Sequence, residues 1–165
     1  MERFGFDGFD ASGVVIKTVS LSMEIGDFLN LAKKSGGRGE VVQLFDPDAI
    51  IGRGHILYAY LNSLLAFREG SNRSKSVGLE MLLFAAMTRQ ISEAIKRVGA
   101  KTKDDVLLFA TRSSYTYVKK YTRREEEFRP TKRHRAEAAA RLGVLTGTRL
   151  DTAMLNRMSS IRLDA

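Results

Sequence analysis

An α+β fold in a single domain, residues 1–165, is what this sequence predicts: a small, mainly antiparallel sheet of about four strands packed with about seven helices. Three observations carry that expectation. Short β-branched and apolar runs stand at Val14–Val19, Glu40–Phe45 and Val106–Ala110, each bounded by polar or glycine-rich stretches. Between and after them, apolar residues recur at spacings of three and four, the pattern of a helix with one buried face. The balance of 44% hydrophobic and 28% charged residues is that of a globular chain long enough to bury a moderate core.

Taken in order, Phe4, Phe6 and Phe9 beside Gly5 and Gly8 suggest a short bent strand, and Val14, Val15, Ile16 and Val19 a second. Ser22 is placed to cap a helix through Lys34, with Ile25, Phe28, Leu29 and Ala32 on one face and SGGRG (35–39) ending it. Glu40–Phe45 reads as the third strand, and Asp46-Pro47 as a turn and helix start. A helix from His55 to Arg68 carries Ile56, Leu57, Tyr60, Leu64 and Phe67 at helical spacing. The polar loop GSNRSKS (70–76) separates it from a nearly all-apolar helix, Val77 to Ala86. Thr88 then caps a helix whose stripe of Ile91, Ala94, Ile95 and Val98 predicts a buried face, closed by Gly99. After the loop KTKDD and the fourth strand VLLFA (106–110), Ser113 or Ser114 caps a helix through Tyr121, and Thr131 caps a basic one ending at Gly143. Thr148 caps the last helix, with Asp151 at its third position. RREEEFRP (123–130) is charged and reads as an exposed insertion.

Charge is distributed unevenly. Residues 1–66 hold 6 Lys/Arg against 8 Asp/Glu, residues 67–111 hold 8 against 5, and residues 112–165 hold 13 against 6, so the net +8 resides in the C-terminal part. A one-sided positive field attracts polyanions, nucleic acid first; the plain alternative is a solvated basic face. With no cysteine, disulfides, thiolate nucleophiles and cysteine-ligated metals are excluded. No apolar run approaches the roughly 18 residues of a membrane span, and MERFGFDGFD lacks the apolar segment of a signal peptide, so a cytoplasmic protein without membrane contact is expected.

Few residues offer chemistry. His55 has no carboxylate or second histidine at helical ligand spacing, so no metal site is expected there, and His134 lies within the basic run KRHRAE. Glu80, alone on its apolar helix, reads as a buried acceptor tying down a neighbouring loop; a small enzyme around His55 and Glu80 is the minor alternative. No phosphate-binding glycine loop, dinucleotide fingerprint or nucleophile elbow appears, so neither a catalytic set nor a cofactor is expected. The loop SNRSKS is more suggestive. Arg73 and Lys75 offer charge, Ser74 and Ser76 offer hydroxyls, and the loop opens a helix whose free N–H groups favour anions.

HILYAYLNSLLAF, then RSKS, then LEMLLFAA, then RQISEAIKRVGAK, in that order and spacing, resembles the PRPK-binding-protein family, the small kinase-binding subunit of the KEOPS complex of archaea and eukaryotes. The matching positions are His55, Ala59, Lys75, Ser76, Glu80, Leu82, Leu83, Gln90, Ile91, Ala94, Ile95 and Gly99, within residues 40–110. Two departures are Met87, where the family often has glycine or a small residue, and the charged segment within 112–135. The resemblance implies a non-catalytic accessory subunit of the machinery that makes threonylcarbamoyladenosine in tRNA. Its partners would be the atypical kinase/ATPase subunit directly and the transferase subunit indirectly, together with the single-stranded 3′ CCA end of tRNA. On this reading His55, Arg73, Ser74, Lys75, Ser76, Arg89, Gln90 and Arg97 hold the tRNA, with cations on phosphates, the amide of Gln90 on a base edge and the ring of His55 beside it. A free-standing RNA-binding module without a protein partner is the alternative.

Leu150, Met154, Met158 and Ile161 recur at four, four and three residues, and Ala153 and Leu155 widen the stripe. Such a stripe either completes the chain's own core or docks a partner; the resemblance favours the kinase-binding edge.

Overall fold

All six residues of strand β3 (Val106–Thr111) are buried, which places that strand inside its sheet. The computed structural model describes residues 11–35, 37, 39–144 and 158, and among them the sheet runs β2-β3-β1-β4, with β1 at Val14–Leu21, β2 at Val42–Phe45 and β4 at Thr122–Glu127. All three pairings are antiparallel. Six helices accompany the sheet among the described residues: α1 (Ile25–Lys33), α2 (Arg53–Glu69), α3 (Val77–Ala86), α4 (Ile91–Val98), α5 (Arg112–Val118) and α6 (Lys132–Arg141). The result is the single-domain α+β fold that the alternating runs predict.

Strand periodicity divides the core in two. From β3, Leu107 and Phe109 join one cluster with residues of α2, α3, α4 and α6, while Val106, Leu108 and Ala110 join Phe28 and Ala32 of α1 and Val118 of α5. The helices therefore cover both faces of the sheet, with the longer α2 and α3 on the first. Helix α3 is buried on nearly every side, as its nearly all-apolar sequence predicts. It ends on Met87 in the left-handed region (φ 55°), where the Thr88 N–H reaches the Leu83 carbonyl at 3.1 Å and the Met87 N–H reaches Phe84 at 3.1 Å. That pairing is a Schellman turn, whose left-handed residue is most cheaply glycine, so the departure at Met87 falls on the position where a side chain costs most.

Several boundaries move. Helix α1 starts after Glu24 rather than Ser22, and α4 after Gln90 rather than Thr88, whose hydroxyl instead accepts from the Gln90 N–H at 3.4 Å. Helix α5 starts after Thr111 and is capped from a distance in sequence. The Glu40 carboxylate accepts from the hydroxyls of Thr111, Ser113 and Ser114 and from the Ser114 N–H at 3.2 Å. These hydroxyls, that of Ser113 foremost, hold the Glu40 carboxyl down at about 2.

The segment expected as an exposed insertion is in part an edge strand. Residues 122–127 pair with β1 from Lys17↔Glu127 to Leu21↔Thr122. One extra residue lies on β4 between the Thr18 and Ser20 pairs, and Arg124 takes a positive φ of 51° there: a β-bulge. Propensity gave no sign of this strand, because a charged edge is held by its neighbour and its charges keep other edges away. Lys17 of β1 meets Glu125 at 3.0 Å, and Tyr115 and Thr122 donate to the same carboxylate at 2.6 Å each.

The strand expected at Phe4–Phe9 and the helix expected from Thr148 lie outside the described residues. No helix among the described residues is long and apolar enough to cross a membrane.

Candidate nucleic-acid interface

Loop 70–76 is built by one buried carboxylate. Glu80, in the first turn of α3, accepts from the Arg73 N–H at 3.1 Å and from Ser74 twice, through its N–H at 2.8 Å and its hydroxyl at 2.7 Å. The acid is 2% exposed and Ser74 is buried with it. Asn72 donates to the Ser74 carbonyl at 3.0 Å, and Ser76 caps α3 by accepting from the Leu79 N–H at 3.3 Å. The lone acid of the apolar helix thus ties down the neighbouring loop, as its surroundings in sequence predict. With the backbone fixed from below, Arg73 and Lys75 stand exposed on either side of Ser74. Two cations at a helix N-terminus, held on a rigid turn, suit phosphate.

His55 does not share that surface. It is 1% exposed, and both ring nitrogens are used: the Ile51 N–H donates to Nδ1 at 3.1 Å and Nε2 lies 2.9 Å from the Ala85 carbonyl. Acceptance at Nδ1 places the ring proton on Nε2, which donates to Ala85. Burial pushes its pKa down to about 4, so the ring is neutral near pH 7. The expectation that it offers a ring to RNA is corrected: His55 fastens the start of α2 to the end of α3. Nor do His55 and Glu80 form a pair. One sits at the C-terminal end of α3 and the other in its first turn, each engaged elsewhere. Ser74 is likewise a support beneath the loop rather than a contact on it.

Arg89 and Gln90 are exposed, beyond the opposite end of α3 from Arg73 and Lys75. Ten helical residues separate the two groups by roughly 15 Å, so the structure gives them two stations rather than one cluster. Gln90 makes no side-chain cap bond to α4, which leaves its amide at the surface. Arg97 is held by Glu93 at 2.6 Å on α4.

Helix α4 departs from the sequence expectation in a useful way. Ala94 and Val98 are fully buried, but Ile91 is 37% and Ile95 48% exposed. At 100° per residue the two isoleucines lie on one shoulder of the buried stripe, and Glu93 and Arg97 on the other. A four-residue apolar pattern on a short helix does not distinguish its centre from its shoulder, and this exposed pair is what sequence reasoning missed. Of the C-terminal stripe, Met158 is described: it is fully buried in the chain's main core. A side chain enclosed there is not a free docking surface, so the interface expectation does not extend to it. Leu150, Ala153, Met154, Leu155 and Ile161 lie outside the described residues.

A search of curated proteins finds none that matches this chain. A protein-family model described as kinase binding protein CGI-121 matches residues 19–149, a span holding helices α1 to α6, strands β2, β3 and β4 and the C-terminal end of β1 from Val19 to Leu21. The chain belongs to that family, the family of the KEOPS kinase-binding subunit.

Proposed function

We propose that this member of the kinase-binding family is a non-catalytic, cytoplasmic accessory subunit of the KEOPS tRNA-modification complex, binding the atypical kinase and the 3′ CCA end of tRNA at two separate places. Family membership supports the kinase partner. The observation that carries the tRNA half is the loop 70–76, whose backbone a buried Glu80 fixes while Arg73 and Lys75 remain exposed. A single strand spanning the roughly 15 Å between the two ends of α3 would reach the exposed amide of Gln90, beside Arg89. His55 and Ser74 support the scaffold without touching the ligand.

The kinase contact falls on the apolar shoulder of α4. Ile91 and Ile95 are the exposed large aliphatic side chains among the described residues, and an obligate partner would cover them. They stand across the helix from Arg97, so protein and RNA need not compete for one face. Leu150, Ala153, Met154, Leu155 and Ile161 remain part of the proposed kinase edge.

Binding of tRNA with and without its CCA end tests the RNA half. Three or four phosphate contacts to a single strand give a log–log salt slope of about −2 to −3. Equal affinity for the two tRNAs would remove the CCA reading and leave the alternative of a general RNA-binding module.

A further inference from the structure

From Arg112 to Arg124 the chain carries five basic residues, three tyrosines and no acid. The stretch runs without a break through helix α5, a tight helical turn over Lys119–Tyr121 and the first half of edge strand β4. Arg112, Lys119, Lys120, Arg123 and Arg124 are all exposed. Val118 of α5 packs into the core on the far side of the sheet from α2 and α3, so this surface is distinct from loop 70–76.

Its charges are available. Among the described residues the ion pairs engage Lys17, Arg53, Arg97, Lys103 and Arg133, and none of the five. Arg112 donates to the Ser12 carbonyl at 2.6 Å. The Lys120 ammonium lies 5.7 Å from the centroid of Tyr117 and 5.0 Å from that of Tyr121, positioned by two rings without being neutralised. Tyr117 itself is 38% exposed. The acids nearby are largely occupied. Glu125 is taken up by Lys17, Tyr115 and Thr122, Glu40 by the start of α5, and Glu127 approaches Arg53 at 4.0 Å, which leaves Glu126 as the remaining acid of β4.

We propose that the surface from Arg112 to Arg124 binds the phosphate backbone of double-helical RNA, as a second contact beyond the one that holds a single-stranded end. The pair Lys119 and Lys120 at its centre is of a type depleted from protein–protein interfaces, and lysine and arginine alike bind phosphate, which favours nucleic acid over an acidic protein. One exposed ring is too few for a single strand, whose binding uses a row of aromatic platforms. A tyrosine among lysines fits a helix backbone instead, where its hydroxyl can reach a phosphate or a ribose 2′-hydroxyl. The inference rests on the reading of the chain as RNA-binding, and the two are separated by the kind of RNA used.

The experiment measures fluorescence anisotropy with two probes, a short blunt RNA hairpin without an overhang and an unstructured oligonucleotide ending in CCA. The proteins are the parent chain, Lys119→Glu with Lys120→Glu, Tyr117→Ala, Arg73→Glu with Lys75→Glu, and Lys132→Glu on α6 as a control for general charge, each checked for an unchanged melting temperature. For the hairpin, the double lysine variant is expected to lose about ten-fold or more in affinity, with a salt slope shallower by about 2. Tyr117→Ala, which changes no charge, weakens it several-fold, while the loop variant leaves it nearly unchanged. Hairpin affinity that survives the double lysine variant, or that falls equally in Lys132→Glu, overturns the proposal, as does a variant that loses kinase binding while keeping the hairpin. Failure of the CCA oligonucleotide alone removes the end-binding reading and leaves this one standing; failure of both probes removes both.

Discussion

Replacing Glu80 by alanine tests how the candidate RNA loop is held. The substitution removes the acceptor for the Arg73 N–H at 3.1 Å, the Ser74 N–H at 2.8 Å and the Ser74 hydroxyl at 2.7 Å. The hydroxyl keeps a second partner, the Ser76 carbonyl at 2.9 Å, and Arg73 lies near solvent, so its amide recovers part of its loss from water. The buried Ser74 N–H has no such recourse. One buried donor left unmet costs about 1–3 kcal/mol, and the partly relieved second donor brings the total to roughly 2–4 kcal/mol. For a chain of this size that is a fall in melting temperature of roughly 5–12 °C. Glu80→Gln, which keeps one acceptor oxygen, recovers about half. Hydrogen exchange locates the effect: the amides of Arg73 and Ser74 should lose protection in Glu80→Ala before the strands do. Affinity for a CCA-ended oligonucleotide should fall as well, since Arg73 and Lys75 then move on an unfixed loop. A variant that melts like the parent and keeps both amides protected would show that the carboxylate does not hold the loop, and the reasoning would fail at its first step.

Acidification should destabilise the protein through His55. Its folded pKa of about 4 lies below the ordinary 6.5, so between those values the unfolded chain binds more protons and stability falls as pH falls. Unfolding free energies from urea titration at pH 7 and pH 5 should differ by about 2 kcal/mol from this group, and a flat profile would contradict the buried, neutral ring. Arg124→Gly relieves a positive φ at an exposed bulge and should raise stability by roughly 0.5–1 kcal/mol in denaturant titration. Gly99→Ala does the reverse: a Cβ there would stand 2.5 Å from the Ile95 carbonyl oxygen, and thermal unfolding should show a loss of roughly 1–3 kcal/mol.

What could be read from sequence follows a physical line. Helix α3 was legible because apolar side chains on nearly every face leave it nowhere but the core. Strand β3 was legible from its apolar run, since a strand buried on both faces must be apolar throughout, and β1 from its β-branched residues between Val14 and Val19. Glu80 was legible because an acid on such a helix has to find donors nearby. Strand β4 was not, because it owes its conformation to hydrogen bonds with β1 and its charges to the exposed edge. The cap of α5 was hidden for a related reason: its carboxylate, Glu40, lies 74 residues from Ser114. His55 misled, since a histidine at a helix start reads the same whether its ring meets solvent or two backbone groups. On α4 the spacing gave the buried stripe correctly at Ala94 and Val98, but Ile91 and Ile95, on the shoulder of that stripe, are exposed, which a four-residue pattern on a short helix does not resolve.

Binding to the cognate kinase, measured by calorimetry for Ile95→Glu beside Arg73→Glu with Lys75→Glu, tests the separation of the two proposed surfaces most directly. Ile95 is 48% exposed, so a charge there should leave the melting temperature nearly unchanged. The account predicts that Ile95→Glu loses the kinase and keeps the CCA-ended oligonucleotide, while the loop variant loses the oligonucleotide and keeps the kinase. A folded Ile95→Glu that binds the kinase as tightly as the parent would contradict it.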